Sequence, residues 1–362
     1  MTLNNADHDF ESEPCGGLDP ETARRNADKF TLYAADRQFD GLTYDLEGQW
    51  SGPYCFVQAA DTQFGMMANF RWDRKRTDPT TMVNGPDDQA NTSRDNGDDD
   101  DDDDRQLIDW TQEVQLTARA VDAINRIRPR PRFFVVCGDL IDAMPGEEYR
   151  SVQIRDYKSV LSHLHPDIRP ICVCGNHDIG NRPTPDTIDS YRRDFGDDYF
   201  EFWVGGCRYL VLNSQFYQDD SQCRQLRLEH DNWLDAKLKP NAHRPHKHFI
   251  GFQHVAPFLY ERHEEPVDVF GDYRWCFNFG DRKTRYEFLD KLKSAGMSKL
   301  FCGHYHRNAG GWDDKLEVVV TSAVGCQLGS DAHGLRIVKV TESSVTHEYC
   351  SIDKIPSQVK LD

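Results

Sequence analysis

Four stretches of this chain place carboxylate, amide and imidazole groups where short apolar runs end. Asp61-Thr62-Gln63 follows the run 54–60, and Gly138-Asp139-Leu140-Ile141-Asp142 follows 133–137. Gly175-Asn176-His177-Asp178 follows 171–174, and Gly303-His304-Tyr305-His306 follows 298–302. A lone His254 ends a further run, 248–253. Asp, Asn and His are oxygen and nitrogen donors suited to Mn, Fe, Zn or Mg. Glycines before Asp139, Asn176 and His304 let the chain turn tightly and bring its backbone close to a ligand. His248 competes with His254, since two-residue alternation puts both on one strand face; His254 is preferred because it lies at the strand end. Gln63 reads equally as a ligand or as a hydrogen-bonding turn amide.

If these runs are strands, their C-terminal ends converge on one rim of a sheet, which is where α/β folds build sites. Helical periodicity lies between them. Leu107, Trp110, Val114, Ala118, Val121 and Ile124 recur at three- and four-residue steps, and further helices are expected over 154–164, 226–238 and 282–295. Strand–helix–strand alternation of this kind argues for βαβ units. Residues 1–48 read as a polar N-terminal extension with one helical candidate at 20–30, 49–352 as the main domain and 353–362 as a C-terminal tail. Segment 77–105 ends in seven consecutive Asp, 98–104, whose mutual repulsion predicts a disordered acidic insertion.

The chain has 362 residues and a formal charge of −18, from 61 acidic and 43 basic side chains. A strongly negative surface repels phosphate backbones, so nucleic acid is not an expected partner. An anionic substrate needs a local positive centre, and bound cations are the obvious source. No run approaches the ~18 apolar residues of a membrane span, and the N-terminus lacks the apolar core of a signal peptide. The expectation is a cytoplasmic monomer off the membrane. Eleven cysteines, several on apolar runs, read as reduced core thiols.

GDLID, GNHD and GHYH, with an upstream Asp61-x-Gln63 and a lone His254 between the last two, resemble the calcineurin-like metallophosphoesterases. Ile179-Gly180-Asn181, Phe202-Trp203-Val204-Gly205-Gly206, Asn213-Ser214-Gln215-Phe216-Tyr217, the segment 303–311 and Ser322-Ala323-Val324-Gly325-Cys326-Gln327-Leu328-Gly329 resemble the family's animal branch of single-domain serine/threonine phosphatases. The resemblance spans roughly residues 49–352 and skips the acidic insertion. It implies a four-layer α/β/β/α sandwich of two mixed sheets flanked by helices. It also implies a metallophosphatase that hydrolyses phosphoserine and phosphothreonine in a phosphoprotein substrate.

The resemblance further implies two divalent metal ions (Mn, Fe, Zn or Mg). Asp61, Gln63, Asp139 and His306 would hold one, and Asp139, Asn176, His254 and His304 the other, with a bridging hydroxide as nucleophile. His177 would protonate the leaving alkoxide while Asp178 orients its ring. Arg307 and Asn308 would contact the substrate phosphate. The family usually has His where this chain has Gln63; a neutral carbonyl is a harder, weaker donor, which predicts a looser first metal with Mn or Mg competing better against Zn. Asp142 occupies the position where purple acid phosphatases carry an iron-binding Tyr. The alternatives are a phosphodiesterase or nucleotide phosphohydrolase on the same site, and a non-catalytic scaffold that keeps the fold.

Overall fold

Alternation along the short apolar strands is what layers this molecule. The computed structural model describes residues 34–69, 109–239, 244–267 and 276–362; the helix expected at 20–30 and the acidic insertion 77–105 lie outside them. The first half of the chain runs β1 (Ala34–Ala35), β2 (Gln38–Phe39), α1 (Tyr44–Glu47), β3 (Tyr54–Ala59), α2 (Thr111–Arg126), β4 (Phe133–Cys137), α3 (Arg150–Ser162), β5 (Arg169–Val173), α4 (Asn176–Ile179) and α5 (Pro185–Phe195). The second half runs β6 (Phe200–Val204), β7 (Cys207–Val211), α6 (Arg224–Leu238), β8 (Phe249–Phe252), α7 (Arg282–Ser294), β9 (Lys299–Cys302), β10 (Ala309–Asp313), β11 (Leu316–Val320), β12 (Gly334–Val340) and β13 (Val345–Ser351).

One sheet has the order β13-β12-β3-β4-β5 and the other β1-β2-β6-β7-β8-β9-β11-β10. Both are mixed. The pairs β3–β4 and β4–β5 are parallel and β12–β3 antiparallel; β7–β8, β8–β9 and β9–β11 are parallel, while β6–β7 and β10–β11 are antiparallel. Between the sheets, Phe56, Phe133 and Val135 meet Phe202, Tyr209, Phe252 and Phe301. The intervening residues Val57, Phe134 and Val136 point the other way, onto Leu116, Ala120 and Ile124 of α2 and Tyr157 and Leu161 of α3. On the far side, Leu210, Phe249, Leu300 and Val318 pack on Leu234 of α6 and on Phe288, Leu289 and Leu292 of α7. Period-two strands with both faces apolar thus yield the expected α/β/β/α order.

Three differences have physical causes. Residues 34–47 are part of the domain, not an extension: β2 pairs in parallel with β6, and Glu47 accepts from Gly205 N–H at 2.8 Å and Arg132 Nη2 at 2.7 Å. Ala34, Phe39 and Leu42 are buried, but Phe39 and Leu42 stand among polar neighbours and β1 and β2 have only two residues each, too short a pattern to announce a hairpin. The tail also docks, with Val359 buried and its N–H on the Arg128 carbonyl at 2.8 Å. Helix α2 is turned slightly from its expected stripe. Its buried face includes Glu113, whose carboxylate accepts from the Gly65 and Met67 N–H groups, while Val114 and Ala118 are only half-buried.

Candidate metal centre

Every expected ligand sits just past the C-terminal end of a strand. Asp61 and Gln63 follow β3, Asp139 follows β4, Asn176 opens α4 after β5, His254 follows β8, and His304 and His306 follow β9. Five of them hold positive φ: Asp61 (53°), Gln63 (39°), Asp139 (49°), His304 (70°) and His306 (51°). Only three other non-glycine residues among those described do so, Asp36, Arg37 and Asp314. Left-handed backbone is unfavourable for such residues, and strain gathered at one place marks a functional site. Close approach explains the neighbouring glycines. A Cβ on Gly138 would lie 2.3 Å from His254 Nδ1, and one on Gly175 2.2 Å from Asp139 Oδ1.

The side chains converge in two groups, Asp139–His254–His304 and Asp61–Asp139–His306; within each, the candidate donor atoms lie within 4.8 Å of one another. Asp139 belongs to both. His254 Nδ1 donates to the Cys137 carbonyl at 2.8 Å, so its Nε2 faces inward. That nitrogen lies 3.2 Å from Asp139 Oδ2, 3.1 Å from Asn176 Oδ1 and 3.1 Å from His304 Nδ1. Asn176 is aimed by its amide nitrogen, which donates to Asn181 Oδ1 at 3.0 Å and turns Oδ1 toward His254. His306 gives Nδ1 to the Cys326 carbonyl and brings Nε2 to 3.4 Å from Asp61 Oδ1.

Gln63, the expected companion of Asp61, Asp139 and His306, is buried. Its Nε2 donates to Asp142 Oδ1 at 3.1 Å, while its buried Oε1 has no hydrogen-bond partner. A buried carbonyl oxygen without a donor is costly unless a cation uses it. Converging lone pairs from two carboxylates, the Asn176 amide and three imidazoles, with the unpartnered Gln63 Oε1, therefore fit divalent cations. Their acid–base balance agrees. Burial pushes the Asp139 carboxyl up, but the His254, His177 and His304 imidazoles outweigh it and hold Asp139 well below the usual carboxylate range. Burial pulls the His254 imidazole down, yet Asp139 and Asp61 carry it up to about 9. Burial, with His254 and His306 beside it, holds His304 down to about 3. These opposed shifts describe carboxylates leaning on a proton where a cation would serve both.

His177 sits at the rim, its side chain 22% exposed, with its backbone N–H on Asp139 Oδ1 at 2.9 Å. The ring is oriented by Asp142 rather than Asp178, correcting the expectation. His177 Nδ1 bonds the Asp142 carbonyl oxygen and lies 3.5 Å from Asp142 Oδ1. Asp178 instead accepts from the Leu140 N–H at 3.1 Å and the Gly175 N–H at 2.7 Å, and burial with Asp139 nearby raises its carboxyl to about 7. Adjacent residues on one helical turn do not face each other. Asn308 has its Oδ1 accepting from Arg336 Nη2 at 2.7 Å, which orients the side chain. Arg307 stands half-buried, with its guanidinium 4.9 Å over the Tyr305 ring and bonded to the Leu328 carbonyl. Asp142 and Asn181 are the positioning groups that sequence reasoning missed. Both lie within the GDLID and GNHDIGN motifs, which was the only signal.

With this geometry in view, resemblance becomes membership. The family profile described as calcineurin-like phosphoesterase matches residues 99–308. The chain belongs to the calcineurin-like phosphoesterase family. It is 45% identical over 324 residues to the serine/threonine-protein phosphatase CPPED1 of Danio rerio, covering 90% of this chain and 93% of that protein. It is 43% identical over 322 residues to the human protein of that name, covering 89% and 91% respectively. Among solved structures, a dimetal phosphatase from Danio rerio superposes with a TM-score of 0.51 at 16% identity, covering 83% of this chain and 97% of that one, which shows a shared fold. The protein is a metallophosphatase, a hydrolase of phosphoesters. No helix among the described residues is long and apolar enough to cross a membrane.

Proposed function

We propose that this enzyme is a metal-dependent phosphomonoesterase acting on phosphoserine and phosphothreonine in proteins. The observation that carries the reading is Asp139, shared by two ligand groups, with the His177 backbone N–H on its Oδ1. Relatives that match across nine-tenths of their length bear the name serine/threonine-protein phosphatase, which supports the substrate class. In this reading two divalent ions (Mn, Fe, Zn or Mg) are held, one by Asp61, Gln63, Asp139 and His306, the other by Asp139, Asn176, His254 and His304. Bound there, such ions supply Lewis-acid charge and acidify a water that attacks phosphorus. The domain is one catalytic unit with the acidic segment 77–105 as an insertion.

The chain's own residues do the rest. His177, with Nδ1 committed to the Asp142 carbonyl, offers Nε2 to the oxygen that leaves with serine or threonine. Asp142 sets that ring and, by accepting from Gln63 Nε2, also fixes the Gln63 amide. Arg307, at the lip, contributes positive charge to an incoming phosphate. The test is metal-depleted protein reconstituted with each ion and assayed on a phosphoserine peptide beside bis(para-nitrophenyl) phosphate. Metal-dependent turnover of the peptide is expected, with His177→Ala slowing it by ~10²–10⁴-fold. Preference for the diester would favour a phosphodiesterase, and turnover indifferent to metal would end the proposal.

A further inference from the structure

Behind His177 lies a buried guanidinium that the chemistry above does not use. Arg150, at the start of α3, is buried, yet makes no ion pair among the described residues. Its Nη1 donates to the Ala143 carbonyl at 2.8 Å and the His177 carbonyl at 3.1 Å, and its Nη2 donates to the Asp178 carbonyl. One rigid fork therefore ties the loop after β4 to helix α4. One turn along the same helix, Gln153 Oε1 accepts from the Ala143 N–H at 2.8 Å. The two side chains grip the Ala143 residue from both ends, by its N–H and its carbonyl. The peptide bond that supplies this N–H carries the Asp142 carbonyl, the acceptor that fixes the His177 ring.

A buried arginine whose hydrogen bonds go only to carbonyls, with the Asp178, Asp194 and Glu147 carboxylates acting on it beyond ion-pair distance, is an expensive way to hold a loop. Lysine offers a point donor that cannot span three acceptors in this way. The arrangement is explained if what it fixes needs sub-ångström placement, and the group it fixes is His177, held at both its backbone carbonyl and its ring acceptor. We propose that Arg150, assisted by Gln153, is a positioning residue that sets the direction of His177 Nε2 toward the leaving oxygen. It touches neither ligand group nor substrate. This inference rests on the assignment of His177 as leaving-group donor.

The leaving group supplies the test, because a serine alkoxide needs a proton while para-nitrophenolate leaves without one. Arg150→Lys and Gln153→Ala are compared with the parent and with His177→Ala, each checked for folding by thermal melt and for Mn²⁺ binding by calorimetry. Arg150→Lys should cut kcat on a phosphoserine peptide by ~10²-fold, the scale of a ~1 Å misplacement. KM and Mn²⁺ affinity should hold, and para-nitrophenyl phosphate turnover should fall far less. In a His177→Ala background, Arg150→Lys should have no further effect. Should Arg150→Lys fail to fold, Gln153→Ala carries the same test, with a smaller but equally substrate-selective loss. Equal losses on both substrates, a loss traceable to metal affinity, or additivity with His177→Ala would overturn the proposal. If His177→Ala itself does not discriminate between the substrates, the donor assignment falls first and takes this inference with it.

Discussion

Adding a single methyl group at Gly175 tests whether Asp139 is the shared ligand. Gly175 has φ −111° and ψ −177°, so alanine there meets no backbone penalty, and any effect is steric. The new Cβ would lie 2.2 Å from Asp139 Oδ1 and 2.4 Å from Asp139 N. A close carbon–oxygen contact needs ~3.3 Å, so the carboxylate and its loop must move by about 1 Å. Overpacking of this size costs about 1–3 kcal/mol of stability. Because Asp139 serves both ligand groups, the same shift should weaken metal binding by about 10–100-fold and slow turnover by ~10²-fold. The matched control is Gly334→Ala in β12, whose Cβ would lie 2.4 Å from the Cys350 carbonyl oxygen. It should lose comparable stability and no metal affinity. Calorimetric Mn²⁺ titration of both variants, with melts and phosphatase assays, separates the two. A folded Gly175→Ala protein with parental metal affinity and turnover would show that Asp139 does not bridge.

Gln63→Leu removes the orphaned Oε1, and the Asp61–Asp139–His306 group should lose its ion on dialysis while the Asp139–His254–His304 group keeps its own; unchanged content by elemental analysis would make Gln63 a bystander. Chelation should lower the melting temperature and Mn²⁺ restore it, since an ion at ~100 times its Kd adds ~2.7 kcal/mol to the folded state; a melt insensitive to both refutes the cation reading. His230 is fully buried among Tyr199, Phe216, Tyr217 and Trp233, and burial depresses its pKa below the ordinary 6.5. The unfolded chain binds that proton first, so its contribution is complete above pH 6.5 and is lost as pH falls from there through the folded pKa. His230→Phe should flatten stability against pH over that window in urea melts; an unchanged slope would exclude His230 as its source.

The candidate ligand set was legible because each member abuts a short apolar run, so strand ends and donor positions are read together. The two-sheet sandwich came from the family resemblance, and its physical basis is visible in the structure: Val57 and Phe134 face helices while Phe56 and Phe133 face the opposite sheet. What escaped was whatever depends on contacts between distant segments. Sequence adjacency nominated Asp178 to orient His177, but the partner is the Asp142 carbonyl, 35 positions away. The bond that orients Asn308, from Arg336 of β12 to its Oδ1, likewise joins segments 28 positions apart. The β1–β2 hairpin is made of two-residue strands that bury only Ala34 and Phe39, too short to read as strands. Helix α5 did carry a readable signal, Thr184 capping with Pro185 at the first helical position.

A common device underlies the aim of the histidines. His177, His254 and His306 each give Nδ1 to a main-chain carbonyl, of Asp142, Cys137 and Cys326 respectively, and His304 bonds the backbone of Cys276. One nitrogen of each ring is thereby occupied by backbone, and the other is directed toward the centre. Carbonyls do not titrate, so these rings keep their direction over any pH at which the sheets persist, unlike rings held by carboxylates. They also belong to strand ends and loops whose positions the two sheets determine. The identity of the donors is therefore a property of short motifs, but their convergence is a property of the whole sandwich. Variants that loosen the inter-sheet core, such as Phe133→Ala, should cost metal affinity along with stability even though no ligand is touched.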